Sequence, residues 1–385
     1  MSDGKTVLVL GGGVGGIVAA RELRKRLPRE HRVVLVDRER RYVYSPSLLW
    51  LMVGDRGAKS IQRPLERLRR KGIEVVLGEV ESLDPEAVRV TVSGQAIEAD
   101  HLVVSLGAEL APQIVPGLAE AGHEFYTLAG AEALRSALSS HSRGRVVLLT
   151  AAPLYKCPAA PYEAAMLIDA RLRDRGVRDA VPVELYAAEP APMGVAGPEI
   201  SEAVRELLRS RDIPYHPDHQ VTSVDPVAKR LTFVDGSGAG YDLLAYVPPH
   251  RAPRVVRESR LAGENGWISV NRQTMETSFP GVYAIGDVVS IPLKLGKPLP
   301  KAGVFAHREA EVVARNIAAA VAGRPASERF DGHGECFLEI GGGKAAFASG
   351  DFYAEPKPAI RLRSPGRRWH LGKVLFEKSW LYGKV

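Results

Sequence analysis

The sequence predicts an α/β protein with two units of alternating strands and helices, followed by a small strand-rich segment at the C-terminus. Three observations support this prediction. The apolar run "TVLVL" leads through glycines into a helix-like segment, the same alternation begins again at "RVVLLT", and short strand-like runs recur near the end of the chain. With 385 residues, of which 45% are hydrophobic and 25% charged, the chain is long enough for two or three ordinary cores.

The first unit begins with a glycine-rich loop. Gly11, Gly13 and Gly16 have the G-x-G-x-x-G spacing between the strand "TVLVL" and the helix-like "IVAARELRKRL". Gly11 permits a tight turn, Gly13 lets the backbone approach a pyrophosphate, and Gly16 allows close packing of helix on strand. A second strand ends at Asp37, which is expected to accept a hydrogen bond from an adenosine ribose hydroxyl. This context predicts a dinucleotide-binding, Rossmann-like domain.

The first unit continues through a predicted meander and resumes late in the chain. "GIEVVLGEV" and "AVRVTVSGQAIEADHLVVSLGA" have strand-like patterns, and the second closes on Gly107. The Pro-rich "APQIVPGL" then crosses to the second unit, and the chain returns to the first after "VPPHRAP". We therefore predict one discontinuous cofactor domain over residues 1–110 and 253–322.

The returning segment supplies further candidate cofactor contacts. "GVYAIGDVVS" ends a strand at Gly286 and Asp287, where an aspartate can hold the ribityl and pyrophosphate end of a flavin. A long helix is predicted next, with Lys301 and Gly303 at its start. These residues are therefore candidate contacts for a bound dinucleotide.

The second unit, residues 111–252, lacks a glycine fingerprint. Where a nucleotide loop should follow "RVVLLT", the chain reads "AAPLYKCPAAP". The prolines remove backbone donors, and the side chains fill the space that a pyrophosphate would need. We therefore predict a second Rossmann-like domain that does not bind NAD(P)H, with Cys157 at the cofactor's turn.

The two cysteines, Cys157 and Cys336, are too few for a disulfide framework, so a pairing between them would indicate redox chemistry. Pro158 and Pro161 suit the first turn of a helix, which places Cys157 at or just before a helix N-terminus. That position, with Lys156 adjacent, predicts a lowered thiol pKa. The alternative is that Cys157 is a small buried hydrophobic residue.

Composition and the first residues bear on location and partners. "MSDG" leads directly into a strand, which leaves no room for a signal peptide and predicts a cytoplasmic protein. Since no apolar run approaches the roughly 18 to 20 residues of a membrane span, membrane contact would be peripheral, on the cytoplasmic face. The net charge of +7 suits attraction to anionic lipid or an acidic partner, or an arginine-rich solvated surface. Neither nucleic acid nor a metal ion is expected as a partner.

Together these residues resemble the flavoproteins with two dinucleotide-binding domains, and within them the sulfide:quinone oxidoreductase and flavocytochrome c sulfide dehydrogenase family. The resemblance covers essentially the whole chain. The discriminating features are "KCPAAPYE" in place of a second nucleotide loop, "VPPHRAP", "PKAGVFA", and a second cysteine in the C-terminal segment, residues 323–385. Quinone-linked members often carry a third, earlier cysteine, which this chain lacks. The general FAD pattern is matched by Gly11, Gly13, Gly16, Asp37, Gly107, Gly286 and Asp287.

The resemblance implies FAD-dependent oxidation of sulfide to sulfur or polysulfide through a Cys157–Cys336 pair. Hydrosulfide would attack the pair, and two electrons would pass to FAD as the disulfide re-forms. Glu163, one to two turns into the predicted helix, would shuttle protons or tune the flavin, unless it is a solvated helix residue. Lys301 would stabilise reduced flavin at its pyrimidine edge, unless it is a surface lysine at the start of a helix. His250 and His307 are candidates for sulfide handling, with surface placement as the default.

The implied electron acceptor is the membrane quinone pool. "KVLFEKSWLYGKV" places Val374, Leu375, Trp380 and Leu381 among lysines, which suits either an interfacial foot that receives quinone or a packed C-terminal helix. Sequence does not decide between a monomer and a homo-oligomer.

Three other functions stay open. A flavocytochrome-type subunit would pass electrons to a cytochrome on a separate chain, since this chain has no C-x-x-C-H haem site. A type II NADH dehydrogenase is disfavoured because the second glycine loop is missing. A non-catalytic redox-sensing or assembly module would use the cysteine pair as a switch.

Overall fold

The computed structural model describes residues 4–385. Most α-helices connect the strands of the two units or pack on their sheets, and a last helix follows the C-terminal sheet. In chain order they are α1 (Val14–Arg26), α2 (Leu48–Val53), α3 (Leu118–Ala121), α4 (Leu128–Ser140), α5 (Ala160–Asp174), α6 (Pro198–Arg209), α7 (Arg254–Arg257), α8 (Gly303–Val321) and α9 (Arg367–Ser379).

The strands are mostly short and apolar, and they form two central parallel sheets with smaller antiparallel sheets around them. In chain order they are β1 (Thr6–Leu10), β2 (Arg32–Asp37), β3 (Arg41–Val43), β4 (Gln62–Pro64), β5 (Glu74–Leu77), β6 (Val80–Asp84), β7 (Arg89–Val92), β8 (Gln95–Glu98), β9 (His101–Val104), β10 (Glu109–Leu110), β11 (His123–Glu124), β12 (Val146–Thr150), β13 (Val183–Ala187), β14 (Tyr215–His216), β15 (Val221–Asp225), β16 (Arg230–Phe233), β17 (Gly238–Gly240), β18 (Leu243–Val247), β19 (His250–Arg251), β20 (Ile268–Ser269), β21 (Val282–Ala284), β22 (Val289–Ser290), β23 (His333–Gly341), β24 (Lys344–Asp351) and β25 (Ala359–Gly366).

The first parallel sheet has the strand order β21-β9-β1-β2-β5. All residues of β1 are buried, because helices cover both faces of a parallel sheet and its strands are therefore apolar throughout. β21 pairs with β9 in parallel, with Val282 opposite Leu102, so the late segment does return to the first sheet. Helices α1 and α8 pack against each other beside this sheet.

The second parallel sheet has the order β11-β18-β12-β13-β14. β12 lies at its centre, between β13 and β18, and is fully buried. Helix α5 packs against β12 and β13, and also against β23 of the C-terminal segment. Two parallel α/β sheets of this kind confirm the predicted fold class.

The structure differs from the sequence prediction in the meander. Only β6, β7 and β8 form an antiparallel meander, whereas β5 and β9, which flank it in the chain, belong to the first parallel sheet. Both strands are short apolar runs. A run of this kind has the same sequence pattern in a parallel sheet and in an antiparallel meander, so the sequence did not distinguish the two.

The C-terminal segment is a three-stranded antiparallel sheet, β23-β24-β25, followed by α9. Helix α9 packs across all three strands, and a single π-helical turn, Trp380–Lys384, ends the chain. Within residues 4–385, no helix is both long and apolar enough to cross a membrane.

Candidate active site

A cavity of about 910 Å³ opens at the carboxyl ends of β1, β2 and β9. Ligands of doubly wound sheets bind at this edge, where the strands end and the loops diverge. Most of the predicted cofactor residues share its wall, as does Cys157. The predicted residues in the wall are Gly11, Gly13, Asp37, Gly107, Gly286, Asp287, Lys301 and Gly303, whereas Gly16, Glu163 and Cys336 are not among the described residues that line it.

The glycines at the junction of β1 and α1 are of two kinds: those with no room for a side chain and one that faces open space. At Gly11 (φ +99°) a Cβ would lie 2.2 Å from the carbonyl oxygen of Ser105, and at Gly16 it would lie 1.8 Å from the carbonyl oxygen of Gly11. At Gly13 a Cβ would meet no atom within 4 Å, because the position faces the cavity. The helix N-terminus at Val14 therefore points free amide groups into open space, as a phosphate group requires.

This difference gives a matched pair of variants. Gly16→Ala should lower the free energy of unfolding by about 3 kcal/mol or more, because the methyl group meets backbone that cannot move aside. Gly13→Ala should change stability by less than about 1 kcal/mol but reduce affinity for the predicted FAD cofactor at least about tenfold, since its methyl group enters the predicted phosphate position. Urea unfolding and flavin titration measure the two effects. Equal FAD affinity in Gly13→Ala and the unchanged protein would contradict this placement.

Asp37 lies at the end of β2, where it holds the glycine loop. One carboxylate oxygen accepts a short hydrogen bond from the amide of Gly12, and the other accepts from the amide of Glu39 at 2.6 Å. Burial raises the pKa of the Asp37 carboxyl, and these two amides oppose that rise. The ribose contact stays a prediction.

The turn after β21, Gly286–Val288, is fixed by two buried charged side chains. The Lys301 ammonium donates to the carbonyl oxygens of Asp287 (2.7 Å) and Val289 (2.8 Å), and burial lowers its pKa to about 8. Glu309 on α8 accepts from the amide of Gly286 at 2.6 Å, and burial raises its pKa to about 7. Lys301 is therefore a buried residue of the cavity wall, not a solvated surface lysine.

Cys157 has an unusual backbone conformation. Its φ is +53°, in the left-handed region, and its amide donates to the carbonyl oxygen of Lys301 at 2.7 Å. Its own carbonyl accepts from the amide of Ala160, the first residue of α5, at 2.9 Å. The residue thus lies just before the helix, as predicted, in a conformation that the surrounding contacts must hold.

The prediction of a lowered pKa for Cys157 is wrong. Burial raises the pKa of the Cys157 thiol to about 12, and the carboxylate of Glu163 adds to this rise. Burial also raises the pKa of Cys336 on β23, with Cys157 and Glu163 among the further causes. Both side chains are free thiols that pack against one hydrophobic core. The structure therefore brings the two cysteines into a shared, low-dielectric environment that favours neutral thiols.

Glu163 is buried in the first turn of α5, so the reading as a solvated residue is also wrong. Its Oε2 accepts from the ammonium of Lys373 on α9 at 2.6 Å and from the amide of Glu339 on β23 at 2.9 Å. The Lys373 side chain is buried as well and lies over the ring of Trp50. This ion pair joins the second unit to the C-terminal segment, and no local sequence signal marked Lys373.

A second buried carboxylate, Glu189, lies at the carboxyl edge of the second parallel sheet, where a Rossmann-like unit would bind a nucleotide. It follows β13 and accepts from the hydroxyls of Thr150 (2.6 Å), Tyr155 (2.5 Å) and Tyr162 (2.5 Å). An acidic residue after the second strand of a Rossmann unit commonly binds a nucleotide ribose. Here the protein's own hydroxyl groups donate hydrogen bonds to this carboxylate, and both tyrosine side chains are buried.

The two candidate histidines differ in exposure, since His250 is buried and the His307 side chain is 22% exposed. Burial lowers the pKa of His250 to about 3, and its ring lies edge-on to Tyr126. His307 lies 3.4 Å from Glu311 and against the ring of Trp380, and burial lowers its pKa. Neither is among the described residues that line the cavity.

The apolar residues near the C-terminus, for which the sequence left a foot and a packed helix open, divide between core and surface. Trp380 and Leu381 are buried in the core of the first unit, and Val374 is half-buried. Of the four apolar residues proposed for the foot, only Leu375 is exposed. The outward face instead consists of Leu371, Leu375, Phe376 and Tyr382.

Comparison with known proteins agrees with this geometry. The chain is 27% identical to the mitochondrial sulfide:quinone oxidoreductase of Mus musculus, over 91% of this chain and 79% of the mouse protein. It is 29% identical to the sulfide-quinone reductase of Aquifex aeolicus, over 98% and 90% of the two chains. The crystal structure of the Aquifex aeolicus sulfide:quinone oxidoreductase superposes with a TM-score of 0.90 at 26% identity, covering 99% of this chain and 91% of that one.

These similarities confirm the resemblance that the sequence indicated. Residues 5–311 also match the pyridine nucleotide-disulphide oxidoreductase family, which spans both parallel sheets. The chain belongs to the pyridine nucleotide-disulphide oxidoreductase family and is an oxidoreductase.

Proposed function

We propose that this protein oxidises sulfide through the Cys157–Cys336 pair, with FAD in the large cavity, and passes the electrons to a quinone. One observation carries the proposal: two free, partly buried thiols from distant parts of the chain pack against one hydrophobic core, and one of them lines the cavity. The sulfide:quinone oxidoreductases named above supply the substrate and acceptor classes.

The cavity fits a flavin dinucleotide. Gly13 and the amide end of α1 would hold the pyrophosphate, Asp37 the ribose, and Asp287 the ribityl chain. When bound, FAD supplies a two-electron acceptor beside Cys157. The buried ammonium of Lys301 places positive charge under the same turn, which favours added negative charge in this part of the cavity.

The cysteine pair would carry the sulfur chemistry. In the oxidised pair, hydrosulfide attacks one sulfur atom, the S–S bond breaks, and a new S–S bond forms to the incoming sulfur. One cysteine then carries a persulfide and the other a thiolate. Transfer of the persulfide sulfur to a second hydrosulfide releases polysulfide and leaves two reduced cysteines, which give up two electrons as their disulfide re-forms.

The second unit supports sulfide over NAD(P)H as the electron donor. The carboxylate of Glu189 accepts hydrogen bonds from the hydroxyls of Thr150, Tyr155 and Tyr162. It therefore binds side chains of the protein in place of a nucleotide ribose. The loop that precedes α5 carries Cys157 in place of a phosphate-binding turn. We therefore expect no reduction of the flavin by NADH.

Helix α9 supports a quinone from the bilayer as the electron acceptor. This helix buries charged side chains and exposes apolar ones, which is the reverse of an ordinary surface helix. Its buried residues are Lys373 and Glu377, whereas Leu375 (61% exposed) and Phe376 (47% exposed) face outward. A soluble helix buries its apolar side chains, so an outward apolar face among basic residues suits the interface of an anionic membrane. We propose that α9 rests on the membrane as a peripheral contact.

The membrane contact can be tested with a double variant. Leu375→Ser with Phe376→Ser should weaken binding to anionic phospholipid vesicles about tenfold or more, because two exposed apolar side chains no longer enter the interface. Val227→Ser is the matched control, since Val227 is 93% exposed in the β15–β16 turn. Cosedimentation measures the binding. Equal loss in the control and the double variant would contradict a contact through α9.

The function itself is tested by steady-state turnover. The purified protein with FAD should reduce a water-soluble quinone analogue when sulfide is added, and should reduce cytochrome c far more slowly. Turnover with cytochrome c alone would favour the flavocytochrome-type assignment. Absence of turnover with both acceptors would overturn sulfide oxidation as the function.

A further inference from the structure

The inward face of α9 carries a cluster of charged groups that begins beside the cysteine pair. Lys373 donates to Glu163 at 2.6 Å, and the amide of Glu339 donates to the same carboxylate oxygen at 2.9 Å. Glu163 lies in the first turn of α5, shortly after Cys157, and Cys336 and Glu339 are both on β23, so the fold brings this end of the cluster close to the two thiols. The charges of Glu163 and Lys373 also affect the pKa values of both thiols.

The other end of the cluster reaches solvent through His370. Its Nδ1 lies 3.0 Å from the Oε2 atom of Glu339, whose side chain is buried. The His370 side chain is 32% exposed and is one helical turn from Lys373 on the same face of α9. His370 is therefore the point at which this buried cluster meets water.

Two carboxyl groups and one amino group form the buried part of the cluster, at Glu163, Glu339 and Lys373. Burial raises the pKa of the Glu339 carboxyl, and Lys373 and the His370 ring oppose that rise. The other groups that face or act on His370 are the ring edge of Trp50 and the carboxylate of Asp55, which follows α2.

We propose that His370 and Glu339 form the solvent end of a proton route to the cysteine pair, with Lys373 and Glu163 as its inner end. This inference rests on the proposed function. His370 and Glu339 act through the Lys373–Glu163 pair, and they are therefore positioning residues rather than groups that touch sulfide.

The cysteine chemistry requires such a route. When hydrosulfide breaks the disulfide, the leaving sulfur is a thiolate in surroundings that favour the neutral thiol. It takes a proton from the Lys373–Glu163 pair, and that proton is replaced from water through His370 and Glu339. Transfer of the persulfide sulfur leaves the second cysteine as a thiol as well. When the disulfide re-forms, the two thiols lose two protons by the same route and two electrons, which bound FAD would accept. One proton enters and two leave, so each cycle releases one proton, as the conversion of two hydrosulfide ions into one hydrogen disulfide ion requires.

The test compares the rate of sulfide-dependent flavin reduction in the unchanged holoenzyme and in His370→Gln across pH. Imidazole side chains generally lose their proton between about pH 5 and 8, and the ionisation of sulfide affects both proteins equally. We therefore expect the unchanged protein to be about tenfold faster at low pH, with the ratio approaching one at high pH. Glu339→Gln should reproduce this pattern, and His31→Gln, which alters a histidine beside Lys5, is the matched control.

Chemical rescue distinguishes proton transfer from a structural role. In His370→Gly, added imidazole should restore most of the rate, because a free base can occupy the solvent end of the route. A constant ratio of rates across pH, or failure of rescue in a variant of normal stability, would overturn the proton route. If the unchanged holoenzyme itself shows no flavin reduction by sulfide, the proposed function fails and the route with it.

Discussion

Replacing either Cys157 or Cys336 with serine should slow sulfide-dependent flavin reduction by on the order of a thousandfold or more, because serine cannot form a disulfide or a persulfide. FAD should remain bound at its normal stoichiometry, since the cofactor contacts predicted for the glycine loop and for Asp287 do not involve either thiol. Stopped-flow absorbance and the flavin-to-protein ratio measure the two outcomes.

The cysteine prediction has an internal control. Cys157 lines the cavity and Cys336 is not among its described lining residues, so a role in flavin binding alone would affect the first variant and not the second. Equal loss of activity in both variants indicates that the pair acts as a unit. Normal sulfide-dependent reduction in either serine variant would contradict the proposed chemistry.

Lys373→Met should lower the free energy of unfolding by about 3 to 5 kcal/mol, because it leaves the carboxylate of Glu163 buried without its cation. Both side chains are almost fully buried, so solvent does not screen the loss. Urea unfolding measures the change. Because the pair joins α5 to α9, we also expect the C-terminal segment to become accessible to protease at lower urea concentrations than in the unchanged protein.

Two controls separate charge from packing in this result. Lys378→Met removes a half-exposed lysine 3.6 Å from Glu377 and should change stability by less than about 1 kcal/mol. The double variant Glu163→Leu with Lys373→Met removes both buried charges and should be more stable than Lys373→Met alone. A double variant as unstable as the single one would show that packing, rather than the unpaired carboxylate, causes the loss.

The parts of the site that the sequence predicted depend on local chain geometry. Gly11 and Gly16 were identified because a strand, a tight turn and a helix follow one another within a few residues. The position of Cys157 before α5 was equally predictable, since Pro161 lies in the first turn of that helix. The glycine spacing and the proline position involve only neighbouring residues, so they can be recognised without knowledge of the fold.

The parts that the sequence missed depend on contacts between distant residues. Glu163 and Lys373 are 210 residues apart, and Glu163 and Glu339 are 176 residues apart, so no spacing rule relates them. The pKa of the Cys157 thiol was predicted wrongly because burial, which depends on the whole fold, outweighs the lowering effect of the nearby Ala160 amide. The sequence left the role of the α9 segment open because its apolar and charged residues both have helical spacing, and only packing decides which face is buried.

The central claim is most directly tested by mixing the holoenzyme anaerobically with sulfide and following the flavin absorbance, with NADH in a parallel sample. We expect rapid bleaching by sulfide and none by NADH, because Cys157 lines the cavity while Glu189 and its hydroxyl partners occupy the carboxyl edge of the second parallel sheet. Bleaching by NADH but not by sulfide would contradict it.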